Sequence, residues 1–151
     1  MEYLFLLILL VWLFSLSAFD VVSFRLPDFL TFPLIMTGLI QSQILNDDIA
    51  NATIGAVLGY SAFVIVELSF KRLKGVDGLG RGDAKLLAAG GAWCGWLWLP
   101  QIVLFSSASA IFAIIVMRQM SKKISKQTPI PFGPFIALAI FLVWTLRTFD
   151  F

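Results

Sequence analysis

Residues 3–19 read Tyr3-Leu4-Phe5-Leu6-Leu7-Ile8-Leu9-Leu10-Val11-Trp12-Leu13-Phe14-Ser15-Leu16-Ser17-Ala18-Phe19, without one charged side chain. A helix that spans a bilayer needs roughly 20 mostly apolar residues, and this run comes close to that length. Ser15-Leu16-Ser17-Ala18 has the small residues of a cleavage site, but the run is preceded by Glu2 and by no Lys or Arg. A secretory leader wants a positive start, so the run is read as a retained span.

The rest of the chain agrees. Of its 151 residues, 60% are hydrophobic and 13% charged, and the mean hydropathy is +0.94. Soluble domains carry roughly 25% charged residues, and a small one buries only about two-thirds of the surface that its unfolded chain exposes. Lipid must therefore solvate much of this surface. The net charge of +2 gives no argument for a nucleic-acid partner. A single cysteine, Cys94, excludes an intrachain disulfide, and the chain has no histidine. The usual zinc sites and Ser–His or Cys–His nucleophile systems are thereby excluded, which leaves carboxylates for acid–base work.

Six apolar runs are legible: Tyr3–Phe19, Phe29–Leu45, Ile49–Phe70, Ala84–Pro100, Gln101–Met117 and Phe132–Phe149. The connections between them are short and polar, with the fourth and fifth runs parted only at Pro100 and Gln101. The expected fold is all-α: one polytopic membrane bundle of about six transmembrane helices, forming a single domain over residues 1–151. Alternate connections place Arg25, Lys71, Arg72, Lys74, Arg81, Lys85, Arg118, Lys122, Lys123 and Lys126 on one side. The other side receives only Arg147, with Glu2, Asp47, Asp48 and Asp150. By the positive-inside tendency the basic side is expected to be cytoplasmic and both termini outside. Basic loop residues at that face would fix topology and meet anionic headgroups.

Small residues recur as Gly55-Ala56-Val57-Leu58-Gly59 and Gly91-Ala92-Trp93-Cys94-Gly95, a spacing that lets helix backbones approach within one chain. Trp96 and Trp98 suit an interfacial belt, and Cys94 reads as a small buried apolar residue.

Four aspartates fall at the basic side: Asp20, Asp28, Asp77 and Asp83. Glu67 lies within the third run, where Lys71 four residues on can pair with it. Carboxylates this near to hydrocarbon are costly and mark a pathway or a site. The sharpest local pattern is Gly78-Leu79-Gly80-Arg81-Gly82-Asp83-Ala84-Lys85. Glycines at alternate positions permit turns and close approach, and Asp83 then opens the fourth run. Gly-x-Gly-Asp alone is also what a turn or a helix cap uses. Two carboxylates brought close titrate unequally, so one can serve as base and the other as acid. From helix dipoles alone, Asp83 at an N-terminus is expected to be ionised and Asp20 at a C-terminus protonated.

Gly80-Arg81-Gly82-Asp83-Ala84-Lys85-Leu86 resembles the Gly-x-Gly-Asp-x-Lys-Leu motif of bacterial type IV prepilin peptidases. Asp20 and Arg25-Leu26-Pro27-Asp28-Phe29-Leu30-Thr31 resemble that family's first aspartate and its Pro-Asp segment. Ile130-Pro131-Phe132-Gly133-Pro134-Phe135 is similar to its approach to the last span. The matches follow family order and cover nearly the whole chain.

The resemblance implies an aspartic endopeptidase with Asp20 and Asp83 as the catalytic pair and no cofactor or metal. Its implied substrates are type IV prepilins or type II secretion pseudopilins, cleaved after a glycine at the cytoplasmic face of the inner membrane. Gly78, Gly80, Gly82 and Lys85 are expected to shape the site. Asp28, Asp77 and Glu67 are expected to be substrate-facing or structural, with Asp28 positioning the second span. The two prolines, Pro131 and Pro134, are expected to set the start of the sixth helix. Longer family members carry a Cys-x-x-Cys-containing N-terminal portion linked to N-methylation. That portion is missing from this sequence, so cleavage without methylation is expected. The bilayer is the other expected partner, and no oligomeric state follows from the sequence.

Presenilin-like proteases share Gly-x-Gly-Asp but pair it with Tyr-Asp in a neighbouring span, whereas Asp20 follows Phe19 two spans away. A proton or ion carrier would place its carboxylates near the bilayer midplane. A scaffold subunit would leave the glycine–aspartate segment as a helix cap only.

Overall fold

The structure, a computed structural model, describes residues 1–23, 26–46, 48–74, 80–120 and 131–149. Arg25, Asp47, Asp77, Gly78, Lys122, Lys123, Lys126 and Asp150 lie outside them. Among the described residues the regular structure is helical: α1 (Glu2–Ser23), α2 (Asp28–Asn46), α3 (Ile49–Lys74), α4 (Arg81–Cys94), α5 (Leu99–Met120) and α6 (Gly133–Thr148), with a 3-10 turn at Trp96–Trp98. Each apolar run is thus one helix. Glu2–Ser23, Ile49–Leu73 and Trp96–Gln119 are long and apolar enough to cross a membrane, and Gly133–Thr148 is a shorter apolar helix.

Their outer faces are what lipid requires. Phe14 is 73% exposed on α1 and Phe112 69% on α5, positions that would aggregate a soluble monomer. The interior is organised around α4, which packs against α2, α3, α5 and α6. Every residue from Leu86 to Cys94 is buried, as befits a helix covered on all sides. At 14 residues it is only about 21 Å long.

Its alanines and glycines make the close packing possible. A Cβ on Gly91 would lie 2.1 Å from the Gly55 carbonyl oxygen of α3, and one on Gly59 would lie 2.7 Å from that of Leu87. On the opposite flank the buried Trp93 indole donates to Leu34 O of α2 at 2.9 Å and meets Trp144 of α6 edge-on, with centroids 5.8 Å apart.

One boundary departs from the sequence expectation. The break between the fourth and fifth helices falls at Gly95, not at Pro100. Gly95 has φ +84, ψ 167, a backbone state that favours glycine. Pro100 instead sits in the first turn of α5, where its missing N–H breaks no helical bond. The Arg147 guanidinium of α6 caps the end of α4 by donating to Cys94 O at 2.8 Å. Unpartnered C-terminal carbonyls favour such a cation. Cys94 is fully buried, as expected.

Candidate active site

At the opposite end of α4 the last turn of α1 and the first turns of α4 and α6 come together. Asp20 lies inside α1, which runs on to Ser23, so it belongs to the helix rather than to a connection. It is 5% exposed. Its Oδ2 accepts the main-chain N–H of Gly133 at 2.8 Å. The first N–H groups of a helix have no intrahelical acceptor, so Asp20 caps α6 from another helix. Pro134 follows in that first turn and has no N–H to satisfy. Gly133 is buried, and a Cβ there would stand 2.6 Å from Asp20 Oδ2.

Asp83 is the third residue of α4. Gly80, the residue before the helix, is extended at φ −76, ψ 131, and its carbonyl accepts the Asp83 N–H at 3.0 Å. Asp83 is partly buried at the polar edge, one residue before the apolar part of α4 begins at Ala84. Burial pushes its carboxyl up from the ordinary 3.8 to about 7, and the negative charge of Asp20 adds to the rise.

From the helix dipoles Asp83 was expected to be ionised, whereas its carboxyl is held up to about 7. Burial and the neighbouring anion outweigh the N-terminal position of Asp83. The Gly133 N–H at the positive end of α6 favours a charged Asp20, against its burial and its place at the C-terminal end of α1. No reading of α1 and α4 alone could supply that donor. The signal in the sequence is a glycine at the first helical position, in Pro131-Phe132-Gly133-Pro134.

The other expected residues sort themselves by contact. A Cβ on Gly82 would lie 2.9 Å from Leu26 Cβ and 3.3 Å from Leu26 N, so Gly82 is needed for close approach. Gly80 has an ordinary φ, and a Cβ there would meet only Asp83 Oδ2, at 3.5 Å. It is not a turn that only glycine can make. Asp77 and Gly78 lie outside the described residues. Glu67 is buried on α3. Arg81 of α4 stands 3.7 Å from Glu67, a neighbour from another helix that the spacing along α3 does not reveal.

Lys85 is ion-paired with Asp28 at the start of α2, which gives both residues a positioning part that their spacing did not reveal. The Asp28 side chain is 59% exposed, so water screens the pair. In a double-mutant cycle, Asp28→Asn with Lys85→Met should show a coupling below about 1 kcal/mol in thermal unfolding. A coupling well above that value would make the pair a structural clamp. Among the described residues no group of three or more His, Cys, Asp or Glu could hold a metal ion.

An apolar, lipid-facing helix bundle with two interacting carboxylates at one end defines a membrane protein with a buried acidic site. The chain belongs to the type IV leader peptidase family, whose model matches residues 7–116, a stretch that contains Asp20 and Asp83 and stops short of α6. It is 44% identical to the leader peptidase HopD of Escherichia coli, over 78% of this chain and 77% of that one. It is 42% identical to a prepilin leader peptidase/N-methyltransferase of Stutzerimonas stutzeri over 91% of this chain. With one of Aeromonas salmonicida it shares 43% identity over 91% of this chain. The chain spans about half the length of these two longer relatives, 49% and 48%. No solved structure matches the chain.

Proposed function

We propose that this chain is a membrane aspartic endopeptidase that removes the short basic leader from type IV prepilins or type II secretion pseudopilins. The observation that carries the proposal is the pairing of Asp20 and Asp83 at one pole of the bundle, close enough that the charge of Asp20 raises the Asp83 carboxyl. Asp20, with its donor from Gly133, is the ionised partner. It takes a proton from a water molecule whose oxygen attacks the scissile carbonyl carbon. Asp83, holding its proton to about pH 7, donates it to the carbonyl oxygen. As the tetrahedral diol collapses, one of its hydroxyls returns a proton to the Asp83 carboxylate, the C–N bond breaks, and the proton on Asp20 passes to the leaving amine, which restores both carboxyls to their starting forms.

The carboxylates lie at a helix end rather than at mid-span, which suits a peptide bond presented at the membrane surface better than ion transfer through the core. In the six-crossing topology this end carries the basic connections, so it faces the cytoplasm of the inner membrane and both termini lie outside. Prepilin and bilayer are then the partners, with no nucleic acid, no cofactor and no methylation step assigned to this chain.

Co-expression with a tagged prepilin, followed by its size shift on a gel, tests the reading. Wild type should cleave, and Asp20→Asn and Asp83→Asn should both fail while inserting at normal levels. Cleavage that survives one substitution removes that residue from the pair. No cleavage of several prepilins by wild type removes the peptidase reading.

A further inference from the structure

The aspartate pair does not stand by itself, because a third helix reaches it through its main chain. Gly133 is buried at the first turn of α6, and its N–H points at Asp20 Oδ2 from 2.8 Å. The contact joins residues 113 apart in sequence, so it exists only once α1 and α6 have packed. Three features make it specific. The N–H has no helical acceptor of its own. The helix directs its positive end at the same oxygen. The position admits no side chain, since a Cβ would come within 2.6 Å of Oδ2 and 2.9 Å of Cγ.

We propose that the Gly133 main-chain N–H is the positioning group of the peptidase, fixing the Asp20 carboxylate in place and favouring its charged form, the form a base needs. The inference rests on the peptidase reading for its catalytic meaning. Its structural content, that this N–H favours the charged form of Asp20, stands apart from the reaction. An N–H aimed at a carboxylate oxygen favours the charged form. It also leaves the other oxygen of Asp20 as the acceptor for the water proton. Asp83 has no comparable donor among the contacts of the described residues.

Among the described residues the neighbouring charges do not offer a substitute. The elements packed against α1 are α2 and α6. At this end α2 brings Asp28, which is paired with Lys85, and α6 has no charged residue before Arg147 at its far end. On α4 the groups are Asp83 itself and Arg81, which stands beside Glu67 of α3. The Gly133 N–H is therefore the anion-stabilising contact that Asp20 has from its packed neighbours.

An alanine at 133 would remove activity through its Cβ alone, so the decisive variant replaces only the N–H. Glycolic acid incorporated at position 133 by nonsense suppression, in the full chain translated into lipid nanodiscs, exchanges N–H for an ester oxygen and adds no side chain. Two readouts are taken: kcat and KM for a tagged prepilin across pH, and the infrared titration of the Asp20 carboxyl, assigned by difference against Asp20→Asn. The ester should lower kcat about ten- to a hundredfold with KM changed by less than about twofold. The acid limb of the kcat profile and the Asp20 titration should both move up by about one pH unit.

An ester variant that cleaves and titrates as wild type does would overturn the inference. So would a loss of kcat with the Asp20 titration unmoved, which would make the contact merely structural. If wild type cleaves no prepilin, the peptidase reading fails, and the titration still decides whether Gly133 governs Asp20.

Discussion

In detergent at pH 8, Asp83→Asn should melt at a higher temperature than wild type while cleaving prepilin about a hundred- to ten-thousandfold more slowly. Both effects have one origin. The Asp83 carboxyl titrates at about 7 in the folded chain against 3.8 for the free group. Between those values the folded state holds a proton that the unfolded state has released. Stability therefore falls as pH rises from about 4 to about 7, and above that window the full penalty of an ionised, partly buried carboxylate beside Asp20 is present.

A rise from 3.8 to about 7 corresponds to about 4 kcal/mol. Asparagine carries no charge but is still a polar group at the same place, so on the order of 2 kcal/mol should be recovered, or about 4–8 °C in melting temperature. At pH 5 only about a third of that penalty has accumulated, which the polar cost of asparagine offsets, so the two proteins should melt within a few degrees of each other. The kinetic counterpart is that kcat/KM of wild type should decline as pH rises through about 7, when Asp83 loses the proton it must donate. Equal melting shifts at pH 5 and pH 8, or a fall at pH 8, would show that Asp83 is not held protonated by its surroundings.

How much of this was legible in the sequence depended on the range of the interaction involved. Apolar run length is a local property, and six runs gave six helices. The end of α4 was misplaced because Pro100 looked like the stronger breaker. A proline in a first turn breaks nothing, whereas a glycine at φ +84 redirects the chain. The acidic pair could be named because both aspartates sit at helix ends on the basic side. The contact between Asp20 and the Gly133 N–H could not be, because the two lie 113 residues apart. Lys85 and Asp28, 57 residues apart, were both noticed and not paired, for the same reason. The dipoles of α1 and α4 are local to their own sequences, whereas the positive end of α6 reaches Asp20 only after the helices pack.

Gly91→Ala should be the most destabilising single-methyl change in the bundle, costing more than about 3 kcal/mol and separating α3 from α4. Propensity alone predicts the reverse, since alanine in a helix interior is favoured over glycine by roughly 1 kcal/mol. Packing decides the sign. The added carbon would lie 2.1 Å from Gly55 O, 2.3 Å from Gly55 C and 2.9 Å from Ala56 N. All three are backbone atoms of a continuous helix, and no rotamer change can move them. Gly55→Ala meets the reciprocal obstacle, with its Cβ 2.4 Å from Gly91 O, and should behave alike. Neighbouring Gly90 separates the two effects, because a Cβ there meets only the side-chain tips of Ile140 and Ile102, at 3.0 and 3.2 Å. Gly90→Ala should therefore cost less than about 1.5 kcal/mol. Thermal unfolding of the three variants, followed by helical circular dichroism in one detergent, gives the ranking. The variants also link stability to the site, since α4 carries Asp83 at one end and is held against α3 along its length. Gly91→Ala should lose prepilin cleavage together with its melting transition, whereas Gly90→Ala should retain most of both. A Gly91→Ala protein that melts within about 2 °C of wild type would mean that α3 and α4 do not meet backbone to backbone. The frame proposed to carry Asp83 toward Asp20 would then have to be built differently.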